Sequence, residues 1–327
     1  MKIDIHNHYF PPAYVDDIEA PPGVATVTMG DKGYRHLNYA GDYNVIAEGH
    51  VSLDARIVEM DAAGVDMQVL TLTTPGPHVE ESKRGVALAR LVNDRLAEGV
   101  AAHPQRFVAL ATLPMQDAKA SVAELDRAVN DLGLRGAMVF SNVNGKPLWA
   151  KEFWPIWEKA EALGVPILVH PPTPSPIPAG MDEWRLVPLI GFCADTSVAA
   201  AGLVFSGVMD AFPGLRIVLS HLGGAIAYLA ERIERGWAIY PESRQHVKGN
   251  PIEYFQRMDI DTVSFSRHAL MCAYEFHGPQ HMMLGSDYPH QIGDLHRCVP
   301  AIEALPIPDA EKELIYGENA KAAFGVG

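Results

Sequence analysis

The chain opens Lys2-Ile3-Asp4-Ile5-His6-Asn7-His8. On an extended strand, residues two apart project from the same face, so His6 and His8 offer two imidazoles to one metal ion. Ile3 and Ile5 alternate with them and should face the other way. A His-x-His pair alone also fits the commoner case of histidines bonded to backbone or water. Three later apolar segments end the same way: Val165-Pro166-Ile167-Leu168-Val169-His170, Arg216-Ile217-Val218-Leu219-Ser220-His221, and His281-Met282-Met283-Leu284-Gly285-Ser286-Asp287. Four histidines and a carboxylate at strand ends are the donors of a divalent-metal site with an open position.

Such residues meet only if their strands share one mouth. From Leu53 onward, segments of helical period alternate with short apolar runs. Leu53, Ile57 and Met60 mark a helix that Gly64 stops before the strand Met67-Gln68-Val69-Leu70-Thr71-Leu72. The rhythm continues through residues 80–102 (helix), 107–112 (strand), a helix carrying Val122, Leu125, Val129 and Leu132, and a strand at 136–140. Helices near 149–163, 196–212 and 225–237 then alternate with strands at 165–170, 216–221 and 258–262, and one more helix precedes the last strand.

About eight strands, each apolar enough to be buried on both faces, predict a (β/α)8 TIM-type barrel in a single domain over 1–327. A doubly wound open sheet fits less well, because no Gly-x-Gly-x-x-Gly follows the first strand. Residues 9–50 form an insertion after that strand. It is rich in Pro, Gly, Tyr and Asp, shows no helical period, and contains a hairpin (25–29 with 34–39) turning near Asp31-Lys32-Gly33. Barrel chemistry belongs at the C-terminal strand ends, where all five residues fall. His36, His50, His78, His103, His246, His268, His277 and His296 read as surface or hydrogen-bonding residues. His281 lies at the wrong end of its strand, whereas His290 falls near the mouth, within reach of substrate.

The formal charge of −14 argues against a nucleic-acid footprint or an anionic membrane surface. An anionic substrate must then be drawn in by local positive groups. Cys193, Cys272 and Cys298 form neither a Cys-x-x-Cys nor a disulfide framework. With no signal-peptide core and no uninterrupted apolar run long enough to span a bilayer, the expected location is the cytoplasm.

The chain resembles the amidohydrolase superfamily, in the branch containing aminocarboxymuconate-semialdehyde decarboxylase and the γ-resorcylate and 5-carboxyvanillate decarboxylases. The resemblance rests on the opening strand, on Arg56-Ile57-Val58-Glu59-Met60-Asp61-Ala62-Ala63-Gly64-Val65, and on Leu110-Ala111-Thr112-Leu113-Pro114-Met115-Gln116. It extends through Val169-His170-Pro171, Ser220-His221-Leu222-Gly223-Gly224, Gly285-Ser286-Asp287-Tyr288-Pro289 and Gly317-Glu318-Asn319-Ala320. It implies that His6, His8, His170 and Asp287 bind one divalent metal, with His221 beside it as the acid–base residue. Two-metal relatives carry a carboxylated lysine at the end of the fourth strand; Ser141-Asn142-Val143-Asn144 stands there instead.

The resemblance further implies that Arg232, eleven residues after His221, reaches a substrate carboxylate across a homodimer interface near the mouth. The plain alternative is a helix-surface arginine paired with Glu231 or Glu234. The family's second substrate arginine falls by spacing on Asn44, a departure from the aminocarboxymuconate pattern that Arg35 could offset. The γ-resorcylate type begins with a Glu where this chain has His6.

Three neutral imidazoles suit zinc, and the carboxylate keeps manganese as second choice. The expected activity is non-oxidative decarboxylation of a small aromatic or muconate-like carboxylic acid, with His221 and Asp287 as proton carriers. The alternative is a hydrolase or hydratase that uses the same site to activate water. A non-enzymatic metal-binding scaffold ranks third. The Leu222-Gly223-Gly224 turn offers either backbone N–H groups to an anion or simple turn geometry.

Overall fold

The computed structural model describes residues 1–20, 23–30, 33–39, 42–174 and 176–326. Eight parallel strands follow the expected rhythm: β1 (Ile3–His8), β2 (Met67–Thr71), β3 (Phe107–Ala109, then Ala111–Thr112 after a break at Leu110), β4 (Ala137–Phe140), β5 (Ile167–His170), β6 (Ile217–Leu219), β7 (Asp259–Asp261) and β8 (Met282–Met283). Each pairs with the next in chain order. The ring closes where the Ile5 N–H donates to the Leu284 carbonyl at 2.9 Å and Asn7 bridges Tyr288.

One strand departs from simple alternation, and it is the one that begins the site. Ile3 pairs with Met67 and Asp4 with Gln68, but Asn7 pairs with Leu70 and His8 with Thr71, so β1 carries one residue more than β2. That bulge reverses the face of everything after it. Ile3 and Ile5 therefore join Met67, Val69, Leu110, Leu168 and Met283 in the barrel lumen. His6 and His8 project inward as well, above them. The expectation that the isoleucines oppose the histidines is thus corrected. Ala320, Ala323 and Phe324 of the last helix (Asn319–Phe324) complete the apolar lumen cluster.

Outside the lumen, Arg56 sits fully buried on the helix Leu53–Ala63. Its guanidinium donates to the His8 carbonyl (2.9 Å), the Gly49 carbonyl (2.7 Å), Asn7 Oδ1 (2.7 Å) and Gln68 Oε1 (3.1 Å). It thereby ties the bulged strand to its neighbour and to the insertion. Burial lowers its pKa to about 10, so it stays charged. Gly64 ends the helix at φ 70°, the left-handed conformation that glycine adopts most cheaply.

The insertion is more ordered than the composition suggests. A helix, Pro12–Glu19, starts on a proline whose missing N–H is harmless at that position. Instead of one hairpin there are three antiparallel strands, Thr26–Met29, Arg35–Tyr39 and Asp42–Val45; of the expected turn, Asp31 and Lys32 lie outside the described residues. The helix expected near 196–212 begins at Val187 instead and stops at Phe205 before Gly207. Val187–Phe205 is long and apolar enough to cross a membrane by length and composition, with mean hydropathy 1.7, but Asp195 interrupts its apolar run. Its Ala199, Ala200, Leu203 and Val204 pack into the core around the barrel.

Candidate metal centre and active site

The strand ends bring His6, His8, His170, His221 and Asp287 together. His6 Nδ1 donates to the carboxylate of Asp261, at the end of β7. His8 Nδ1 lies 3.1 Å from Thr71 Oγ1, whose own proton goes to the Asn7 carbonyl at 2.6 Å, so the threonine accepts from the imidazole. Both rings then carry hydrogen on Nδ1 and turn an Nε2 lone pair inward. These two Nε2 atoms are 3.2 Å apart, and Asp287 Oδ1 stands 3.1 Å from His8 Nε2 and 3.4 Å from His6 Nε2. Electron pairs so close repel one another unless a proton or a metal cation lies among them.

Neither nitrogen of buried His170 has a hydrogen-bond partner among the described residues, although its ring centre is 5.1 Å from that of His6 and 4.8 Å from that of His8. A buried imidazole without a partner is costly unless a ligand completes it. His221 Nε2 is 3.8 Å from Asp287 Oδ2, the oxygen that faces away from His8. Ligand-type atoms of His6, His170, His221 and Asp287 all lie within 4.8 Å of one another, and His8, Asp287 and His290 form an overlapping group. This donor set fits a divalent cation.

Charge is arranged accordingly. Burial pushes His8 and His170 well below the ordinary imidazole range, which favours the neutral form that a ligand needs. Burial acts on His6 in the same direction, but Asp261 and then Asp287 outweigh it and raise that group to about 10, so without an ion a second proton on Nε2 takes the place that a metal cation would fill. For Asp287, burial is outweighed by the neighbouring imidazoles of His221, His6 and His8, which hold the carboxyl well below its usual range. His221, Leu222 and Asp287 all adopt positive φ (53°, 57° and 59°), a conformation uncommon outside glycine and frequent at functional sites.

Sequence reasoning missed Asp261. Besides His6, it accepts the backbone N–H groups of His221 (2.9 Å), Leu222 (3.2 Å) and Val263 (2.9 Å). The anion held at the Leu222-Gly223-Gly224 turn is therefore the protein's own carboxylate, so the free-anion reading of that turn is corrected. The available signal was its position, the last residue of a barrel strand, like His170. Because one carboxylate orients both His6 and the His221 turn, Asp261→Asn should weaken metal retention about 10–100-fold. Metal content after dialysis against graded chelator measures this, and undiminished retention would refute it.

Above the cluster opens a cavity of about 250 Å³. His170, His221 and Asp287 line it, together with Asn44, Thr73 and His290; Pro188, Leu189, Phe192 and Ile292 supply apolar wall. His290 packs 4.7 Å from the His8 ring and places Nε2 3.4 Å from Thr73 Oγ1. Asn44 donates its amide to the Thr74 carbonyl (2.6 Å) and Oγ1 (3.2 Å).

The amidohydrolase family model matches residues 3–326, nearly the whole described barrel. The chain belongs to that family. It is 34% identical to a 2-amino-3-carboxymuconate-6-semialdehyde decarboxylase of Dictyostelium discoideum, over 84% of this chain and 76% of the relative. It is 33% identical to a γ-resorcylate decarboxylase of Rhizobium radiobacter, over 83% and 86% of the two chains. Among solved structures, a dihydroxybenzoic acid decarboxylase of Polaromonas sp., with bound manganese and the inhibitor 2-nitroresorcinol, superposes with TM-score 0.84 at 27% identity. That match covers 99% of this chain and 97% of the other.

Other expected positions of this amidohydrolase fall elsewhere. Arg232 is exposed on the helix Ile226–Ile239, in a groove with Tyr228, Leu229, Arg235 and Tyr240, and does not line the cavity of its own chain. Its suggested partner Glu231 lies instead 3.7 Å from Arg235. Arg35 pairs with Glu19 at 3.1 Å, outside the cavity lining, and so does not replace the charge lost at Asn44. Of the histidines expected at the surface or in hydrogen bonds, His50, His78 and His277 are buried, and His50 Nδ1 accepts the Ala47 N–H at 3.0 Å. His50 stacks on Phe10 and lies 5.1 Å from His290, as a support to the site wall.

Proposed function

We propose that this amidohydrolase is a metal-dependent, non-oxidative decarboxylase of a small aromatic or muconate-like carboxylic acid, with 1–327 acting as one domain. The observation that carries the reading is a metal-type cluster opening onto a half-apolar cavity sized for one substituted ring, in a chain whose relatives are decarboxylases. His6, His8, His170 and Asp287 hold the metal, and His221 is the acid–base residue. Exposure supports this division: the His221 side chain is 12% exposed, whereas His6, His8, His170 and Asp287 are buried. Zinc is our first choice on donor chemistry, and manganese, which a neighbour holds, is second.

When bound, the ion supplies a positive charge that fixes the substrate's oxygens and stabilises the charge that develops on them. The residues do the rest. His221 donates a proton to the carbon that bears the carboxylate. The C–C bond then breaks, its electron pair restores conjugation, and CO2 leaves. The Asp287 carboxylate, whose Oδ2 faces His221, stabilises the protonated imidazole, which regains its proton from solvent between turnovers. His290 and Asn44 hold the substrate's remaining polar groups against the wall.

Purified, metal-loaded protein should release CO2 from at least one acid in a panel of hydroxybenzoates and muconates, with one metal per chain by elemental analysis. Water addition or hydrolysis without CO2 would assign the chain to the hydrolase or hydratase class. Absence of tightly bound metal, or two ions per chain, would refute the mononuclear site.

The same reading makes the protein a cytoplasmic homodimer; its three unpaired cysteines agree with a reducing compartment. The exposed Tyr228, Ile239 and Tyr240 around Arg232 supply an apolar face for a second copy. Arg232→Ala should raise KM about tenfold, the weight of one charge-assisted hydrogen bond, with metal content and folding intact. A monomer with full activity by sedimentation and assay would remove this role.

A further inference from the structure

Arg185 is the arginine that lines the cavity, and nothing above assigns it a role. Its guanidinium is fixed on two sides. Nη1 donates to Asp42 Oδ1 at 2.7 Å, and the guanidinium carbon lies 4.5 Å from the centre of the Tyr43 ring. Asp42, whose side chain is 12% exposed, also accepts the Tyr43 backbone N–H at 2.8 Å. Among the described residues the guanidinium makes no other hydrogen bond; its side chain is 47% exposed where it borders the cavity, so several of its five N–H donors remain for a ligand or water. Trp184 and Arg185 both adopt positive φ (50° and 58°), so the guanidinium is carried on a strained segment.

The neighbouring Asn44, two residues along the same strand as Asp42, spends its amide hydrogens on Thr74. What it offers the cavity is Oδ1, an acceptor. This wall therefore presents donors whose positive charge Asp42 balances, beside an acceptor. A carboxylate placed here would meet repulsion from Asp42 and from Asn44 Oδ1. A hydroxyl satisfies both partners, accepting from Arg185 and donating to Asn44 Oδ1.

We propose that Arg185, balanced by Asp42, is a specificity-determining residue that receives a neutral hydroxyl of the substrate, so that the cavity selects hydroxylated aromatic monocarboxylates over dicarboxylates. The proposal rests on the decarboxylase reading and narrows its substrate class from the aromatic-or-muconate set to phenolic acids.

The test uses metal-loaded wild type, Arg185→Ala, Arg185→Gln and Asp42→Asn. Dissociation constants by calorimetry and KM values are measured for 2-hydroxybenzoate, the dihydroxybenzoates that add one further hydroxyl, and 4-hydroxyisophthalate as the dicarboxylate. Wild type should prefer one dihydroxybenzoate over 2-hydroxybenzoate, and both Arg185 variants should erase that preference by about tenfold, the effect of one hydrogen bond to a charged donor. Asp42→Asn leaves the guanidinium charge unbalanced and should shift the dicarboxylate-to-monocarboxylate affinity ratio at least about fivefold toward the dicarboxylate. An unchanged hydroxyl preference in both Arg185 variants, an unchanged ratio in Asp42→Asn, or failure of wild type to bind any of these acids overturns the proposal. If wild type binds them but releases no CO2, the decarboxylase reading fails while the binding constants still decide the role of Arg185.

Discussion

His221→Asn should lower kcat by about a thousandfold, within the range for loss of a positioned acid–base group, while one metal per chain is retained. The substitution keeps a polar side chain of similar reach but removes the imidazole that donates the proton. The expected separation of activity from metal content follows from the geometry. His221 Nε2 stands 3.8 Å from Asp287 Oδ2, farther than His8 Nε2 from Asp287 Oδ1 at 3.1 Å, and His221 is the partner that opens to the cavity. Its backbone is held independently of the imidazole, because the His221 and Leu222 N–H groups bond to Asp261. The turn should therefore keep its shape in the variant. Because His221 also lies within the four-residue group that could enclose an ion, metal analysis is the deciding measurement. If His221→Asn loses its metal, the residue is a ligand and the proton carrier must be sought elsewhere.

Removing the ion should abolish turnover and lower thermal stability together, and Asp287→Ala should do the same permanently. Without a cation, the protein keeps the His6 and His8 Nε2 atoms 3.2 Å apart beside a buried carboxylate, and both His170 nitrogens unpartnered. Each is a cost in the folded state that does not exist in the unfolded chain. A ligand bound only by the folded state stabilises it by about 2.7 kcal/mol at a hundredfold excess over Kd, so adding back zinc or manganese to stripped wild type should raise Tm by several degrees. Asp287→Ala removes the oxygen that faces His6, His8 and, through its second oxygen, His221, so the same addition should give little shift. Scanning calorimetry of the stripped proteins with and without metal measures both outcomes. A Tm of wild type indifferent to metal would show that the cluster is satisfied without one.

Much of the site was legible because barrel topology converts linear position into spatial position. A residue that ends a strand in a parallel barrel must lie at the common mouth. His6, His8, His170, His221 and Asp287 could therefore be grouped from apolar runs and their last residues alone, and the order of strands and helices followed from changes of hydrophobic period. Those facts are local, and the chain states them directly.

Only the tertiary structure decided the rest, because the rest depends on pairing between distant segments. The bulge in β1 is invisible in Ile3-Asp4-Ile5-His6-Asn7-His8 and exists only in its register with β2; it puts isoleucines and histidines in the same lumen. Asp261 is an ordinary strand aspartate until closure of the ring brings it to His6, 255 residues away. Arg185 and Asp42, separated by 143 residues, meet because a loop and the insertion fold over one mouth. Local sequence determines which groups a strand end carries, but hydrogen bonds across the ring decide their tautomers, charges and aim. Those bonds form only when the barrel closes.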